Sequence, residues 1–130
     1  MGRLTVTTIS YQPIGIVHSP FEGIENVPIQ PTAAAGICGT VEVFAEFTVA
    51  LTDLGGFSHV ILLYPFHRVT LVRLAVVPFL DAEPRGVFAT RAPRRPNPIG
   101  MSIVRLLGIE GHLLHIENVD IVDGTPLLDI

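Results

Sequence analysis

A stiff loop rich in arginine is the first feature of this sequence that could carry chemistry. The segment GVFATRAPRRPNPIG, residues 86–100, holds Arg91, Arg94 and Arg95 among three prolines. Each proline holds φ near about −65° and removes a backbone donor, so the segment can form neither a helix nor a central strand. We therefore expect a rigid exposed ribbon that presents guanidinium groups to an anion. The alternative is a structural crossover whose arginines bond carbonyl oxygens or nearby acids.

Carboxylates in the last stretch of the sequence form a second candidate site. Asp120 and Asp123 flank two apolar residues in NVDIVDGTPLLDI, residues 118–130, and Asp-Gly-Thr-Pro is a strong turn signal. These carboxylates can accept hydrogen bonds from ribose hydroxyl or ammonium groups, or pair with the loop arginines. A local turn in which Asp123 bonds its own downstream backbone explains Asp123 equally well.

Two histidines and one cysteine bear on metal binding. FSHVILLYPFH, residues 57–67, places His59 and His67 on one face of an undisturbed strand. A metal triad completed by Asp123 is conceivable, but two histidines without a nearby third ligand are more often structural. Cys38 is the single cysteine, so the sequence offers neither a disulfide framework nor a thiolate zinc site. We expect no metal.

The elements that must position these residues have the pattern of strands. Short stretches rich in Val, Ile and Phe lie between Gly and Pro residues, at 13–18, 37–44, 57–66, 71–79, 101–109 and 113–119. Such spacing is typical of an all-β barrel or sandwich. Residues 108–112 predict a hairpin turn, and residues 46–54 predict one or two helical turns. We expect one domain over residues 1–130.

Composition and charge narrow the classes of function. The chain is 48% hydrophobic and 15% charged with a formal net charge of −4, which argues against nucleic-acid binding over the whole surface. No apolar run approaches the ~20 residues of a membrane span, and MGRLTVTTIS lacks a secretory segment. We expect a cytoplasmic protein with no membrane partner. The apolar excess favours a small barrel that buries one face in an oligomer.

Four segments, in order, resemble the TsaA-like family: PIGIVHSPF, FSHVILLYPFH, GVFATRAPRRPNPIGMS and DGTPLLDI. The resemblance covers residues 14–130, and its FATRxxxRPNPIG string is highly specific. Characterised members are tRNA methyltransferases that modify N6-threonylcarbamoyladenosine beside the anticodon. The resemblance implies a single-sheeted closed β-barrel with short helical turns, a homodimer, and S-adenosylmethionine as cofactor. This sequence departs from the family pattern at Ala92, where many members carry serine.

The resemblance also implies roles for particular residues. The expected cofactor contacts are Pro31, Thr32, Ala33, His67, Arg68, Arg91, Met101, Asp120, Ile121, Val122 and Asp123. Arg94 and Arg95 are expected at the mouth of the site, where phosphates of the tRNA anticodon loop approach. His67 and Asp123 are candidates for a catalytic base that removes the N6 proton.

Two other functions remain open beside the expected tRNA (adenine-N6) methyltransferase. One is a non-catalytic module that binds S-adenosylmethionine or another nucleotide-like ligand and regulates a partner. The other is a metal-assisted barrel enzyme that uses His59, His67 and an aspartate.

Overall fold

The computed structural model describes residues 7–23, 34–66, 73–78 and 81–130. Short 3-10 helices cover Ala45–Leu51, Leu54–Gly56 and Val87–Ala89. The strands, in chain order, are β1 Gly15–His18, β2 Cys38–Val43, β3 His59–Pro65, β4 Ala75–Val76, β5 Arg85–Gly86, β6 Ile99–Glu110, β7 Leu113–Glu117 and β8 Thr125–Leu127. The predicted mainly β fold with short helical turns is confirmed.

One antiparallel sheet of six strands, in the order β3-β6-β7-β2-β1-β8, makes up the body of the protein. The two outer strands meet where Leu63 of β3 pairs with Asp129, just beyond β8. The Leu63 N–H donates to the Asp129 carbonyl at 3.0 Å, and the Leu128 N–H donates to the Leu63 carbonyl at 2.8 Å. These bonds satisfy backbone groups that an open edge would expose. The predicted single-sheeted barrel is therefore confirmed, with a nearly closed wall.

Strict alternation along the strands separates the barrel interior from its outer surface. On β6, Gly100, Ser102, Val104 and Leu106 are buried, whereas the residues between them are exposed. Side chains from every strand of the sheet fill the interior: Val17, Val41, Val43, Val60, Leu62, Val104, Leu114, Ile116 and Leu127. Each fully buried Val, Leu or Ile contributes about 1.5–3 kcal/mol relative to its exposed state.

Two hairpin-like elements complete the fold. The predicted turn between β6 and β7 is confirmed, and Gly111 adopts there a positive φ of 60° that glycine tolerates. The short strands β4 and β5 pair with each other outside the main sheet, through Ala75–Gly86 and Val76–Arg85. This ribbon leads directly into the proline loop.

One predicted strand needs correction, and one strand has no counterpart in the sequence pattern. The stretch 71–79 was expected to be a full strand, but within its described part only Ala75–Val76 is a strand. The turn signal Asp-Gly-Thr-Pro is confirmed by a turn at residues 123–124, and β8, which the sequence pattern does not predict, follows it and closes the sheet. None of the helical segments described here has the length and apolarity that a membrane crossing demands.

Candidate functional site

The proline loop, residues 90–98, lies between the 3-10 helix Val87–Ala89 and β6, and this part is neither helix nor strand, as predicted. The ends of the predicted segment 86–100 differ, because Val87–Ala89 is helical and Ile99–Gly100 already belong to the central strand β6. Thr90 anchors its beginning, because its hydroxyl donates to the Val87 carbonyl at 2.9 Å and accepts from the Ala92 N–H at 3.1 Å. Arg91 is exposed, and its Nη2 donates to the Ile99 carbonyl at the start of β6. The loop is thus tied to the sheet at both ends.

Arg95 is buried, with only 8% of its surface accessible to solvent. Its Nη1 donates to the Thr90 carbonyl at 2.8 Å and lies 3.4 Å from the carbonyls of Val87 and Ala92. The guanidinium carbon also lies 5.9 Å from the centre of the Phe88 ring, within cation–π range. These contacts favour the structural alternative for Arg95, in which an arginine bonds loop carbonyls. Its predicted contact with RNA stays a prediction.

A cavity of about 390 Å³ opens beside this loop. Its lining residues come from β3, the 3-10 helix before the loop, the loop itself and β6: Leu63, Phe88, Arg91, Arg95, Pro96, Asn97, Ile99 and Met101. The volume lies within the range of small-molecule sites. The structure therefore brings Arg91 and Met101, two predicted cofactor contacts, to one cavity.

A hydrogen-bonded chain of three side chains runs from the barrel interior to Asp120. The Ser102 hydroxyl donates to Asp120 Oδ1 at 2.6 Å, and the Tyr64 hydroxyl lies 2.7 Å from Ser102 Oγ. Because Ser102 has one hydroxyl proton and gives it to the carboxylate, Tyr64 must donate to Ser102. We call this arrangement the Tyr64–Ser102–Asp120 chain. It fixes the orientation of one predicted cofactor-binding carboxylate.

Neither Tyr64 nor Ser102 is among the functional residues that the sequence predicts. One sequence signal points to Ser102: in the alternating pattern of β6 it occupies a buried position, in phase with Gly100, Val104 and Leu106. A hydroxyl in the buried phase of a strand requires a hydrogen-bond partner. Gly100 is also required beside Tyr64, because a Cβ there would lie 2.3 Å from the tyrosine ring.

Burial perturbs both ends of the Tyr64–Ser102–Asp120 chain. Burial raises the pKa of Tyr64 to about 12; the Ser102 hydrogen bond opposes this shift, the Asp120 charge adds to it and the Arg91 charge opposes it. Burial likewise raises the pKa of Asp120, and the hydrogen bond from Ser102 offsets only part of the effect. Asp120 and Arg91 thus act on Tyr64 electrostatically with opposite signs.

Asp123 has a different environment from Asp120. Its Oδ1 accepts the Ser19 N–H at 3.0 Å, and His18 Nδ1 lies 3.8 Å away. The Ser19 hydroxyl in turn donates to the Ile121 carbonyl at 2.5 Å. The Asp123 side chain therefore bonds the backbone at the end of β1, which is distant in sequence, and not its own downstream backbone as the local-turn alternative required. Ile121 and Val122 between the two aspartates are buried.

The remaining predicted residues divide into two groups. Pro31, Thr32, Ala33, His67 and Arg68 lie outside the described residues, so their predicted roles stay predictions. His59 is exposed, and its Nδ1 lies 2.9 Å from the Ser58 hydroxyl. Within the part of the chain that the structure describes, no three His, Cys, Asp or Glu side chains stand close enough to hold a metal ion, and no ion pair joins Asp120 or Asp123 to a loop arginine.

Fold and site together define a small single-sheeted β-barrel with a proline–arginine loop beside a ligand-sized cavity. The chain belongs to the family of the tRNA-methyltransferase O N-terminal domain, whose family model matches residues 16–130. This match confirms the resemblance found in the sequence.

Individual relatives agree with this assignment. A probable S-adenosyl-L-methionine-binding protein of Pyrococcus abyssi is 59% identical over 122 residues, which cover 94% of this chain and 66% of the relative. A mouse tRNA (adenine(37)-N6)-methyltransferase is 34% identical over 92% of this chain and 29% of its own length. The crystal structure of TrmO from Pseudomonas aeruginosa superimposes with a TM-score of 0.77 at 42% identity, covering 95% of this chain and 54% of that structure. The chain thus spans two thirds or less of the length of these relatives.

Proposed function

We propose that this chain binds S-adenosylmethionine and transfers its methyl group to N6 of an adenosine beside the tRNA anticodon, with threonylcarbamoyladenosine as the substrate. One observation carries the proposal: on a barrel of this family, β3 and β6 line the Arg91–Met101 cavity with their outer side chains and carry Tyr64 and Ser102 of the Tyr64–Ser102–Asp120 chain on their buried side. The names of the Pyrococcus and mouse relatives, a cofactor-binding protein and a tRNA methyltransferase, support the cofactor and the substrate.

The residues around the cavity fit this cofactor chemically. Arg91 offers a planar guanidinium that suits the carboxylate of a methionine moiety. Leu63 and Met101 supply apolar surface for the rest of the ligand. Asp120 does not line the cavity itself, but Ser102 of β6 orients its carboxylate, and we assign it as the acceptor for an ammonium group or a ribose hydroxyl. A cation, apolar walls and an oriented carboxylate are the groups that S-adenosylmethionine requires.

The main contribution of the protein to the reaction is then positioning. When bound, S-adenosylmethionine supplies a methyl group that its sulfonium already activates. The N6 of threonylcarbamoyladenosine is a ureido-type nitrogen with a delocalised lone pair, so removal of its proton by a nearby base would help. Asp123 and His67 are the proposed candidates for this base.

The substrate side of the cavity fits a single-stranded RNA loop. Phe88 is 77% exposed at the cavity and offers a flat face on which an unstacked base can lie. Arg94 is exposed on the same loop that carries Arg91. We assign Arg94 to the RNA phosphates, and we place the reaction in the cytoplasm.

We further propose that the protein acts as a homodimer. Large apolar side chains are exposed on the outer faces of β3 and β6, namely Ile61, Ile99, Met101, Ile103 and Leu107. We call this surface the β3–β6 face. Contiguous apolar patches of this kind typically mark interaction surfaces. Ile99 and Met101 also line the cavity, so a second copy on this face would lie beside the cofactor site.

Calorimetric titration with S-adenosylmethionine, followed by a methyl-transfer assay on tRNA carrying threonylcarbamoyladenosine, tests the proposal. We expect saturable binding at one site per chain and transfer of the methyl group to that tRNA. Binding without transfer to any tRNA would favour the alternative, a regulatory module that only binds the ligand. Absence of binding would contradict the proposed function.

A further inference from the structure

A second groove lies between Arg94 of the proline loop and the neighbourhood of the β4–β5 ribbon. It has a volume of about 650 Å³ and is lined by Arg73, Ala75, Val76, Val77, Pro84 and Arg94. The Arg73 N–H donates to the Arg94 carbonyl at 2.7 Å, which ties the backbone beside the β4–β5 ribbon to the loop. We call this feature the Arg73–Arg94 groove. None of its lining residues lines the Arg91–Met101 cavity.

The two arginines of this groove differ from the other described arginines in their partners. Arg85 pairs with Asp81 at 3.0 Å, and Arg105 lies 3.8 Å from Glu117. Arg91 and Arg95 donate to backbone carbonyls, as described above. Among the residues that the structure describes, the guanidinium groups of Arg73 and Arg94 have neither an acidic partner nor a hydrogen-bonded carbonyl. Both residues are exposed.

The surroundings make this pair a suitable anion site. The groove between the arginines is apolar, formed by Ala75, Val76, Val77 and Pro84. Two guanidinium groups without acidic partners suit phosphate oxygens, which arginine contacts in a bidentate manner. An apolar surface between them suits the sugar and base parts of a nucleotide. A chain of net charge −4 needs such local positive sites to approach RNA.

We propose that the Arg73–Arg94 groove binds the RNA backbone, with each arginine contacting a phosphate next to the nucleotide that enters the Arg91–Met101 cavity. This inference rests on the proposed function and adds Arg73 to the RNA-binding residues. Arg94 and Arg95 are adjacent in sequence, but Arg95 faces the cavity and bonds the loop carbonyls, whereas Arg94 faces the groove. Two adjacent residues of the loop thereby belong to different sites, Arg95 to the cavity and Arg94 to the groove.

The test compares binding of an anticodon stem-loop RNA across a salt series for the wild-type protein and for Arg73→Ala, Arg94→Ala and the double variant. Each single change should weaken binding roughly three- to tenfold and reduce the slope of log K against log salt by about 0.7–0.9. Arg85→Ala is the matched control, because its charge is already paired with Asp81. Affinity for S-adenosylmethionine should stay unchanged in all variants.

Several outcomes would overturn the proposal. If the wild-type protein binds RNA and the double variant binds it equally tightly with the same salt slope, the groove is not the RNA site. An equal loss in Arg85→Ala would show general electrostatic attraction instead. If the wild-type protein binds S-adenosylmethionine but no RNA, both the groove assignment and the tRNA substrate fail. If RNA binding depends on the groove while S-adenosylmethionine does not bind, the groove stands and the methyltransferase proposal fails.

Discussion

Arg91 belongs to the proline loop, lines the ligand cavity and bonds the Ile99 carbonyl. Arg91→Ala should weaken binding of S-adenosylmethionine by roughly 1.5–3 kcal/mol, the range for a hydrogen bond to a charged group. Calorimetric titration measures this loss directly. Arg85→Ala, which removes an exposed arginine paired with Asp81, should leave the affinity unchanged. An unchanged affinity in Arg91→Ala would contradict the assignment.

Asp120 carries a stability cost that follows from its burial. Because its pKa is raised above the ordinary 3.8, folding favours the protonated carboxyl. The stability that this preference contributes is fully present below pH 3.8 and is lost as the pH rises through the raised folded-state pKa. Asp120→Asn should therefore raise Tm at neutral pH and change it little below about pH 3.8. Thermal unfolding of the wild-type protein and the variant across a pH series measures the change in Tm at neutral pH and at low pH.

The same Asp120→Asn variant should bind S-adenosylmethionine less tightly, because the amide cannot supply a negative charge to an ammonium group. Asp53→Asn is a suitable control, since Asp53 is exposed and asparagine tolerates its positive φ of 70°. A lower Tm for Asp120→Asn at neutral pH would show that the charged carboxylate stabilises the fold, against expectation.

Arg95 helps to fix the conformation of the proline loop, because it bonds the carbonyls of Val87, Thr90 and Ala92. Arg95→Ala removes the donor to the Thr90 carbonyl and the contact with Phe88, so we expect a loss of about 1–3 kcal/mol in the free energy of unfolding. Limited proteolysis should detect faster cleavage within residues 90–98. Cofactor affinity should fall as well, because Arg91 belongs to the same loop.

Arg94→Ala is the control for Arg95→Ala, since Arg94 precedes Arg95 in the same loop but is exposed. It should leave Tm and the proteolysis pattern unchanged. If Arg95→Ala instead lowers only RNA affinity, with stability and cofactor binding intact, then Arg95 acts on RNA as the sequence first predicted.

The proposed dimer depends on the exposed apolar side chains of the β3–β6 face. Ile103, 62% exposed at the middle of the β3–β6 face, is the side chain whose change should disturb a dimer most directly. Ile103→Glu should convert the proposed dimer to monomers, because a charge would have to be buried in an apolar contact. Sedimentation velocity measures the change. Val49→Glu, at an exposed apolar position on a 3-10 helix, should not alter the assembly.

The strand pattern and the proline loop could be predicted from the sequence because their signals are local. Alternation along residues 101–109 follows from the period of a strand, and the prolines of the loop restrict their own backbone. β8 could not be found in this way, because Thr125–Leu127 contains a proline and follows a turn signal. Its pairing with β1, and the contact of Asp129 with Leu63, depend on residues far away in the sequence.

The sequence by itself therefore determined the fold class, the family and the chemistry that Arg91, Met101 and the aspartates can offer. Tertiary structure decided which of these side chains meet. Tyr64 meets Ser102 because β3 and β6 pair side by side, and Asp120, in the segment after β7, accepts from Ser102. Asp123 instead accepts from the Ser19 backbone at the end of β1. Arg94 and Arg95 carry the same charge one position apart, yet the bend of the loop sends one outward and the other onto carbonyl oxygens. The physical reason is that residue type sets what a group can bind, while only the path of the backbone sets what lies within its reach.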